Sequence, residues 1–188
     1  MKRLLAYIAA LGALIIVVSS CDVVNKTLKT NDPQYAYEQA LILYEQGKWK
    51  QASDIFTACR HIYVGSPREA SLTFYNARCQ FKDRNYGDAA TMLDEFRRKF
   101  GRSPFIEDAE GMYALCHYYM SPEPERDQTV TTQAIIAITE FMSRYPESDK
   151  LPEFEEMLTT LSERLMEKSY LNAYTYYKIG RYKSAIVA

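Results

Sequence analysis

The chain has 188 residues, with 23 basic and 24 acidic side chains and a net charge of −1 at pH 7. A chain of this length predicts one domain. The near-neutral balance argues against nucleic acid as a partner, because binding by counterion release needs a basic surface.

The first twenty residues have the pattern of a secretory signal. Lys2 and Arg3 precede an uncharged run from Leu4 to Val18, and two serines follow it. A positive start, an apolar run and small residues before a cleavage point predict a signal peptide over residues 1–20. An uncleaved membrane anchor is the less favoured alternative, because a bilayer-spanning helix needs roughly 20 apolar residues.

The next segment carries a candidate lipidation site. The stretch Val18-Ser19-Ser20-Cys21 resembles the lipobox of bacterial lipoproteins, which implies that Cys21 becomes the new N-terminus and carries acyl chains. Several acyl chains together anchor a protein stably to a membrane. Asp22 leaves open which membrane that is. Residues 21–31 are mostly polar, and we expect them to form a lipidated tether.

The remaining chain, residues 32–188, repeats itself. Ala40, Ala77 and Ala114 are 37 residues apart in each step, and the dipeptide Ser66-Pro67 recurs 37 residues later as Ser103-Pro104. Such a period is typical of stacked helical hairpins, in which each hairpin buries its apolar face against the next.

We therefore expect an all-α domain. The predicted helices cover residues 33–46, 48–63, 67–83, 86–100, 104–120, 129–144 and 152–179, with a break in the last left open, and a final helix from residue 182. Asp32, Ser66 and Ser103 precede prolines and are expected to cap helices, with Glu69 completing a capping box. Gly47, Asn85 and Gly180 suit the turns within hairpins.

The pattern resembles the tetratricopeptide repeat, which implies a solenoid of about four helical hairpins. The matching residues are Ala40, Gly47, Trp49, Ala52, Phe56 and Pro67; Ala77, Tyr86, Ala89, Leu93 and Pro104; Ala114, Ala134, Phe141 and Pro146; and Ala173, Gly180, Tyr182 and Ala185. An insertion of eight residues interrupts the third hairpin. We expect the sequence to be truncated within the fourth repeat.

No pattern for catalysis or metal binding stands out. Cys59, Cys79 and Cys116 form no CxxC pair, and we expect them to be small buried residues, although an exported chain would permit a disulfide. Cys116 and His117 are adjacent on a helix, where neighbouring side chains point about 100° apart, so they cannot easily pair. We predict no catalytic residue, no metal and no cofactor.

Two later segments narrow the family. RDQTVTTQAIIAITEFMSRYPES, residues 126–148, and AYTYYKIGRYKSA, residues 173–185, resemble the BamD family of outer-membrane lipoproteins. This resemblance implies a non-enzymatic protein that is lipid-anchored on the periplasmic face of the outer membrane. It also implies docking onto the periplasmic domains of the barrel-forming assembly protein, and binding of unfolded outer-membrane proteins.

The first helices of such hairpins line the concave side of the array, which predicts a partner-binding groove. The candidate residues are Tyr37, Tyr44, Phe74, Arg78, Phe81 and Tyr118. Tyr44, Phe81 and Tyr118 recur in register, as packing residues do, whereas Tyr37, Phe74 and Arg78 are the stronger groove candidates. Two other functions stay open: a glycan-binding lipoprotein built on the same repeat, and a general cell-envelope adaptor.

Overall fold

The computed structural model describes residues 23–30 and 32–188, so the predicted signal peptide and Cys21 lie outside the described residues. All regular structure within these ranges is helical, as the sequence predicts. The helices are α1 (residues 23–29), α2 (Pro33–Glu45), α3 (Trp49–Cys59), α4 (Glu69–Lys82), α5 (Tyr86–Lys99), α6 (Ile106–Met120), α7 (Thr129–Arg144), α8 (Leu151–Lys178) and α9 (Tyr182–Val187), with a 3₁₀ turn at Arg60–Ile62. None of the described helices is long and apolar enough to span a bilayer.

The described residues form two compact units, the first ending at Asn85 and the second covering Tyr86–Ala188. In the first unit, α2 packs on α3 and α3 packs on α4. In the second, each helix from α5 to α8 packs on the one that follows it. Successive helices therefore pair as hairpins inside each unit.

The alanines that define the repeat are core residues. Ala40, Ala52, Ala77, Ala89, Ala114 and Ala134 are all fully buried. A small side chain lets two helix backbones approach closely, and larger rings such as Phe56 and Phe141 fill the space beside them. The prediction that the recurring small residues form the packing positions is confirmed for the first three repeats, whereas Ala173 and Ala185 of the fourth are only half-buried.

The first predicted cap is confirmed and the second is corrected. The Asp32 carboxylate accepts hydrogen bonds from the backbone N–H groups of Gln34 (3.0 Å) and Tyr35 (3.2 Å) at the start of α2. The Ser66 hydroxyl instead donates to the Tyr63 carbonyl, and the Glu69 carboxylate accepts from the Gly65 N–H.

Because the Ser66 carbonyl accepts from the Glu69 N–H, residues 66–69 close a turn, and α4 begins at Glu69 rather than at residue 67. The same turn follows Ser103, whose carbonyl accepts from the Ile106 N–H, so α6 begins two residues later than predicted. A Ser-Pro pair at this position therefore marks the turn before the helix.

Three hairpin turns share one backbone conformation. Gly47 and Gly180 have φ angles of 75° and 76°, and both were predicted as turn residues. In the second hairpin the left-handed residue is Arg84, with φ of 64°, and not Asn85. Arg84 lies 37 residues after Gly47 and so occupies the same repeat position. The following Asn85 closes the turn, because its backbone N–H donates to the Gln80 carbonyl at 2.9 Å.

The segment predicted as a tether contains helix α1, which the sequence reading missed. Val24 packs against the core of the first unit, and Thr27 is buried. The Thr30 hydroxyl donates to the Thr27 carbonyl at 2.6 Å and closes the end of the helix. Lipidation at Cys21 and the tether boundaries stay predictions.

A line of polar side chains, which we call the polar seam, joins α3 to α4. The Ser53 hydroxyl donates to the Asn76 side-chain oxygen at 2.7 Å, and the Asn76 amide donates to the Thr57 hydroxyl at 3.0 Å. The Gln80 amide donates to Ser53 at 2.8 Å. Asn76 is only 2% exposed, so these bonds satisfy a buried amide that would otherwise be costly.

The insertion in the third hairpin is held against α8. The Arg164 guanidinium donates to the Ser121 carbonyl (3.0 Å) and hydroxyl (2.9 Å), and the Lys168 ammonium donates to the Glu125 carbonyl. Helix α8 runs unbroken from Leu151 to Lys178, which settles the break that the sequence left open.

The fourth hairpin repeats the ring geometry of the first. Tyr177 and Tyr182 hold the repeat positions of Tyr44 and Trp49. Their ring centroids are 5.6 Å apart at an angle of 60°, compared with 5.1 Å and 64° in the first hairpin. The same pattern of residues therefore produces the same local packing twice.

Candidate functional site

Five of the six candidate groove residues lie on α2 and α4 of the first unit. Tyr37 and Tyr44 are on α2, while Phe74, Arg78 and Phe81 are on α4. The sixth, Tyr118, lies on α6 of the second unit. Side chains of α2 and α4 meet directly, and we call the surface that they form the α2–α4 face, defined by Tyr37, Tyr44, Arg68, Ser71, Tyr75 and Arg78.

Tyr44 is the centre of an aromatic cluster on this face. Its ring packs edge-on against Trp49 (5.1 Å between centroids) and Tyr75 (5.3 Å). The Arg78 guanidinium lies 5.7 Å from the Tyr44 ring centroid and 5.9 Å from that of Phe74. These distances are within the range of cation–π attraction, which orients the guanidinium over the rings.

Tyr37 forms a second contact point on the same face. Its hydroxyl donates to the Ser71 hydroxyl at 3.1 Å, and the Arg68 guanidinium lies 5.6 Å from its ring centroid. Beneath it, the rings of Phe56 and Tyr63 fix its position from the core side. The α2–α4 face therefore presents two half-buried tyrosines, each accompanied by an arginine.

Phe74 and Phe81 occupy different places from those expected of groove residues. Phe74 is only 1% exposed, so its ring supports Arg78 and Tyr75 from below and presents no surface to a partner. Phe81 is half-buried in the last turn of α4. The expectation that Phe74 is a strong groove contact does not fit this burial, because a partner reaches only exposed atoms.

Tyr118 has a comparable arginine in the second unit. The Arg164 guanidinium lies 5.8 Å from its ring centroid, and Tyr119 packs edge-on against it at 5.5 Å. Arg164 also holds Ser121 of the insertion, so it links α8 to the end of α6. Tyr118 is thus part of a packed junction, as its recurrence in register indicates.

The electrostatics of the α2–α4 face suit recognition of a polar main chain. Burial raises the pKa of the Tyr44 phenol, with Arg78 opposing the shift, so the hydroxyl stays protonated at neutral pH. Arg78 and Arg68 bring guanidinium donors that fit carbonyl or carboxylate oxygens. The face therefore offers ring surface, a neutral hydroxyl and fixed cations.

The groups with catalytic potential in the second unit do not form an activated pair. Burial raises the pKa of the Cys116 thiol to about 12, so it is not a thiolate at neutral pH. The His117 ring packs edge-on against Tyr113 at 4.6 Å, and burial together with Arg97 lowers its pKa. The absence of catalysis stays a prediction.

The three cysteines considered for a disulfide are buried free thiols, which confirms the expectation that they are packing residues. Burial also raises the pKa of the Cys79 thiol to about 12, although Arg78 opposes this shift.

Sequence reasoning missed Arg68, Ser71 and Tyr75 on this face. A signal was available for Tyr75 and Ser71, because they precede Arg78 by three and seven residues and so lie on the same side of α4. Arg68 lies in the turn before α4 rather than in the helix that was predicted to include it. Its place on the face depended on a turn whose geometry the sequence did not reveal.

Comparison with known proteins identifies the family. The model of a family described as outer membrane lipoprotein, YfiO, matches residues 29–187. A chain of Caulobacter vibrioides, called outer membrane protein assembly factor BamD, is 24% identical over 174 residues, covering 84% of this chain and 57% of the relative. A Helicobacter pylori chain of the same name is 20% identical over 184 residues, covering 93% of this chain and 81% of the relative. The present chain thus spans little more than half the length of the Caulobacter relative. It belongs to the YfiO, or BamD, family and is an outer-membrane lipoprotein.

Proposed function

We propose that this chain is a non-enzymatic subunit of the machinery that assembles outer-membrane β-barrel proteins. Cys21 carries its lipid anchor and holds it on the periplasmic face of the membrane. The repeats bind the barrel-forming assembly protein through that protein's periplasmic domains, and they bind segments of unfolded barrel proteins. Membership of the family and the names of the relatives support this proposal.

The observation that carries substrate binding is the pair of tyrosine–arginine clusters on the α2–α4 face. Unfolded barrel strands alternate apolar or aromatic side chains with polar ones. The rings of Tyr37 and Tyr44 offer surface to the apolar side chains, and Arg68 and Arg78 offer donors to main-chain oxygens. Because Tyr37, Tyr44 and Arg78 lie on packed helices, most of the site is preorganised, which lowers the entropic cost of binding an extended segment.

This site is tested with a synthetic peptide that has the alternating pattern of a barrel strand, labelled for fluorescence anisotropy. We expect Arg78→Ala to weaken binding about fivefold, since cation–π and donor contacts of this kind contribute about 1 kcal/mol. Lys82→Ala is the matched control, because Lys82 is an exposed cation one turn further along α4. Equal affinities for wild-type and Arg78→Ala chains, with unchanged helicity, would refute the site.

Docking onto the barrel-forming assembly protein needs its own test. Purified periplasmic domains of such a protein are mixed with this chain, and complex formation is measured by size-exclusion chromatography with light scattering. A complex of defined stoichiometry supports the proposal. Separate elution at micromolar concentrations of both proteins would contradict it for this chain.

A further inference from the structure

Helix α1 is fixed to the first unit over most of its length. Val24 packs on the core, and Thr27 is only 3% exposed. These two residues are three apart, so they lie on one side of the helix and hold that side against the repeats. A helix attached in this way cannot swing freely between the domain and a membrane.

The distance from α1 to the proposed lipid anchor is short. Only Asp22 separates Cys21 from Val23, the first described residue of α1. Two residues of extended chain span at most about 7 Å between Cα atoms. If Cys21 carries the acyl chains, α1 must therefore lie at the level of the lipid headgroups. This inference rests on the lipidation of Cys21 that is part of the proposed function.

The outward surface of α1 has the chemistry of a membrane contact. Lys26 and Lys29 are exposed and lie away from the side that Val24 and Thr27 hold against the core. Val23 and Leu28 are also exposed, at 39% and 37%. Lysines beside exposed apolar residues are typical of helices that lie in the headgroup region of a bilayer.

The turn between α2 and α3 extends this surface across a cavity. The cavity has a volume of about 630 Å³, and its walls include Val24 and Leu28 of α1 together with Lys48, Trp49 and Lys50. The carboxylates of Asp54 and Asp83 line it as well, so acids equal lysines within the cavity, and the additional cations of this surface are Lys26 and Lys29 on α1. Tryptophan, with an apolar ring and one polar N–H, is enriched at membrane interfaces.

We propose that the first unit lies directly against the bilayer, with α1 and the α2–α3 turn facing the headgroups. Lys26, Lys29, Lys48 and Lys50 meet lipid phosphates, and Trp49 lies near the boundary of the acyl chains. The anchor is then a stiff attachment that sets which side of the first unit faces the membrane, rather than a loose tether.

Trp49 is the only tryptophan of the chain, so tryptophan fluorescence reports on this one residue. The lipidated chain is reconstituted into vesicles of phosphatidylethanolamine and phosphatidylglycerol whose acyl chains carry bromine near the headgroup. Because bromine quenches at short range, we expect a loss of Trp49 fluorescence relative to unbrominated vesicles. The Cys21→Ser chain, mixed with the same vesicles, gives the signal of the unanchored protein.

Charge reversal tests the lysines. Lys29→Glu is expected to reduce the quenching, because it places a carboxylate against lipid phosphates. Lys82→Glu is the matched control, since both lysines are exposed and end a helix of the first unit. A reduction with Lys29→Glu alone supports the orientation, and equal effects of the two variants contradict it.

Vesicle flotation and mass spectrometry of the N-terminal peptide distinguish a failure of lipidation at Cys21 from a failure of the membrane-facing orientation. A chain that floats with acyl groups on Cys21, but whose Trp49 fluorescence matches that of Cys21→Ser, overturns the membrane-facing surface and leaves the lipidation intact. A chain that carries no acyl group on Cys21 and does not float overturns both.

Discussion

Arg84 gives the sharpest test of how the repeat determines the backbone. It occupies the position that Gly47 holds in the first hairpin, and it has a φ of 64°. A left-handed conformation costs a residue with a Cβ atom roughly 1–2 kcal/mol. Glycine avoids that cost. A glycine also gives the unfolded chain more conformational freedom, which reduces the gain in stability by about 0.5–1 kcal/mol. We therefore expect Arg84→Gly to stabilise the protein by about 0.5–1 kcal/mol.

The side chain of Arg84 is exposed, so little packing is lost on its removal. The hydrogen bond from its N–H to the Phe81 carbonyl, at 3.0 Å, is a backbone contact and survives the substitution. The Arg84→Ala chain removes the same side chain but keeps the Cβ atom. The difference between the two variants thus isolates the backbone conformation from any effect of the guanidinium charge.

The assay is equilibrium unfolding in urea followed by circular dichroism. The midpoint is expected to rise for Arg84→Gly, with an unchanged slope, and the melting temperature is expected to rise by about 2 °C, given that about 1 kcal/mol shifts a domain of this size by 2–4 °C. Gly47→Ala should have the opposite effect, because it introduces the strain that Arg84 already carries. If Arg84→Gly is no more stable than Arg84→Ala, the reasoning from backbone conformation is wrong.

Three further predictions follow from buried groups. Asn76→Ala should lower the free energy of unfolding by about 2 kcal/mol in urea titrations, since it leaves the Ser53 hydroxyl without its buried acceptor; Asn85→Ala, at an exposed position, is the control. The folded state disfavours protonation of His117, so stability should fall as the pH drops below about 6.5, where the unfolded imidazole takes up a proton. A His117→Gln chain should show a smaller fall in parallel melts at pH 7.5 and 5.5, and equal falls would contradict the assignment. Cys79 and Cys116 should react with a thiol reagent at pH 8 only after unfolding, because burial raises both pKa values to about 12; rapid labelling of the native chain would refute this.

The sequence was sufficient for the elements that repeat. The recurrence of Ala40 and Ala77 is visible in the sequence itself and marks the packing positions. Helix periodicity then predicts which neighbouring residues are buried with them. Seven long helices, α2 to α8, and the short α9 were expected within a few residues of their actual bounds for the same reason. Helix α1 was missed because it is short and mostly polar, and its stability comes from tertiary contacts of Val24 and Thr27, which no local pattern encodes.

The candidate site was predicted less well than the fold. Arg78 lies over the Tyr44 ring, and Tyr37 on the same helix as Tyr44 donates a hydrogen bond to Ser71 of α4, while binding of a partner at these residues stays a prediction. Phe74 was expected on the same surface, but it is in the core. Aromatic residues on one helix face inward or outward according to an angle of rotation that depends on the neighbouring helix, and this angle was not available from residue spacing alone.

The polar seam has a consequence for how a chain of similar hairpins finds its native order. A purely apolar contact between α3 and α4 would tolerate a shift of one helical turn, about 5.4 Å, with modest loss. Asn76 opposes that shift, because its side-chain amide accepts from Ser53 and donates to Thr57 only in one register of α3 against α4. The buried amide therefore fixes the register of α3 against α4, as a single asparagine fixes register in some coiled coils. It also disfavours pairing of either helix with a wrong helix of similar sequence.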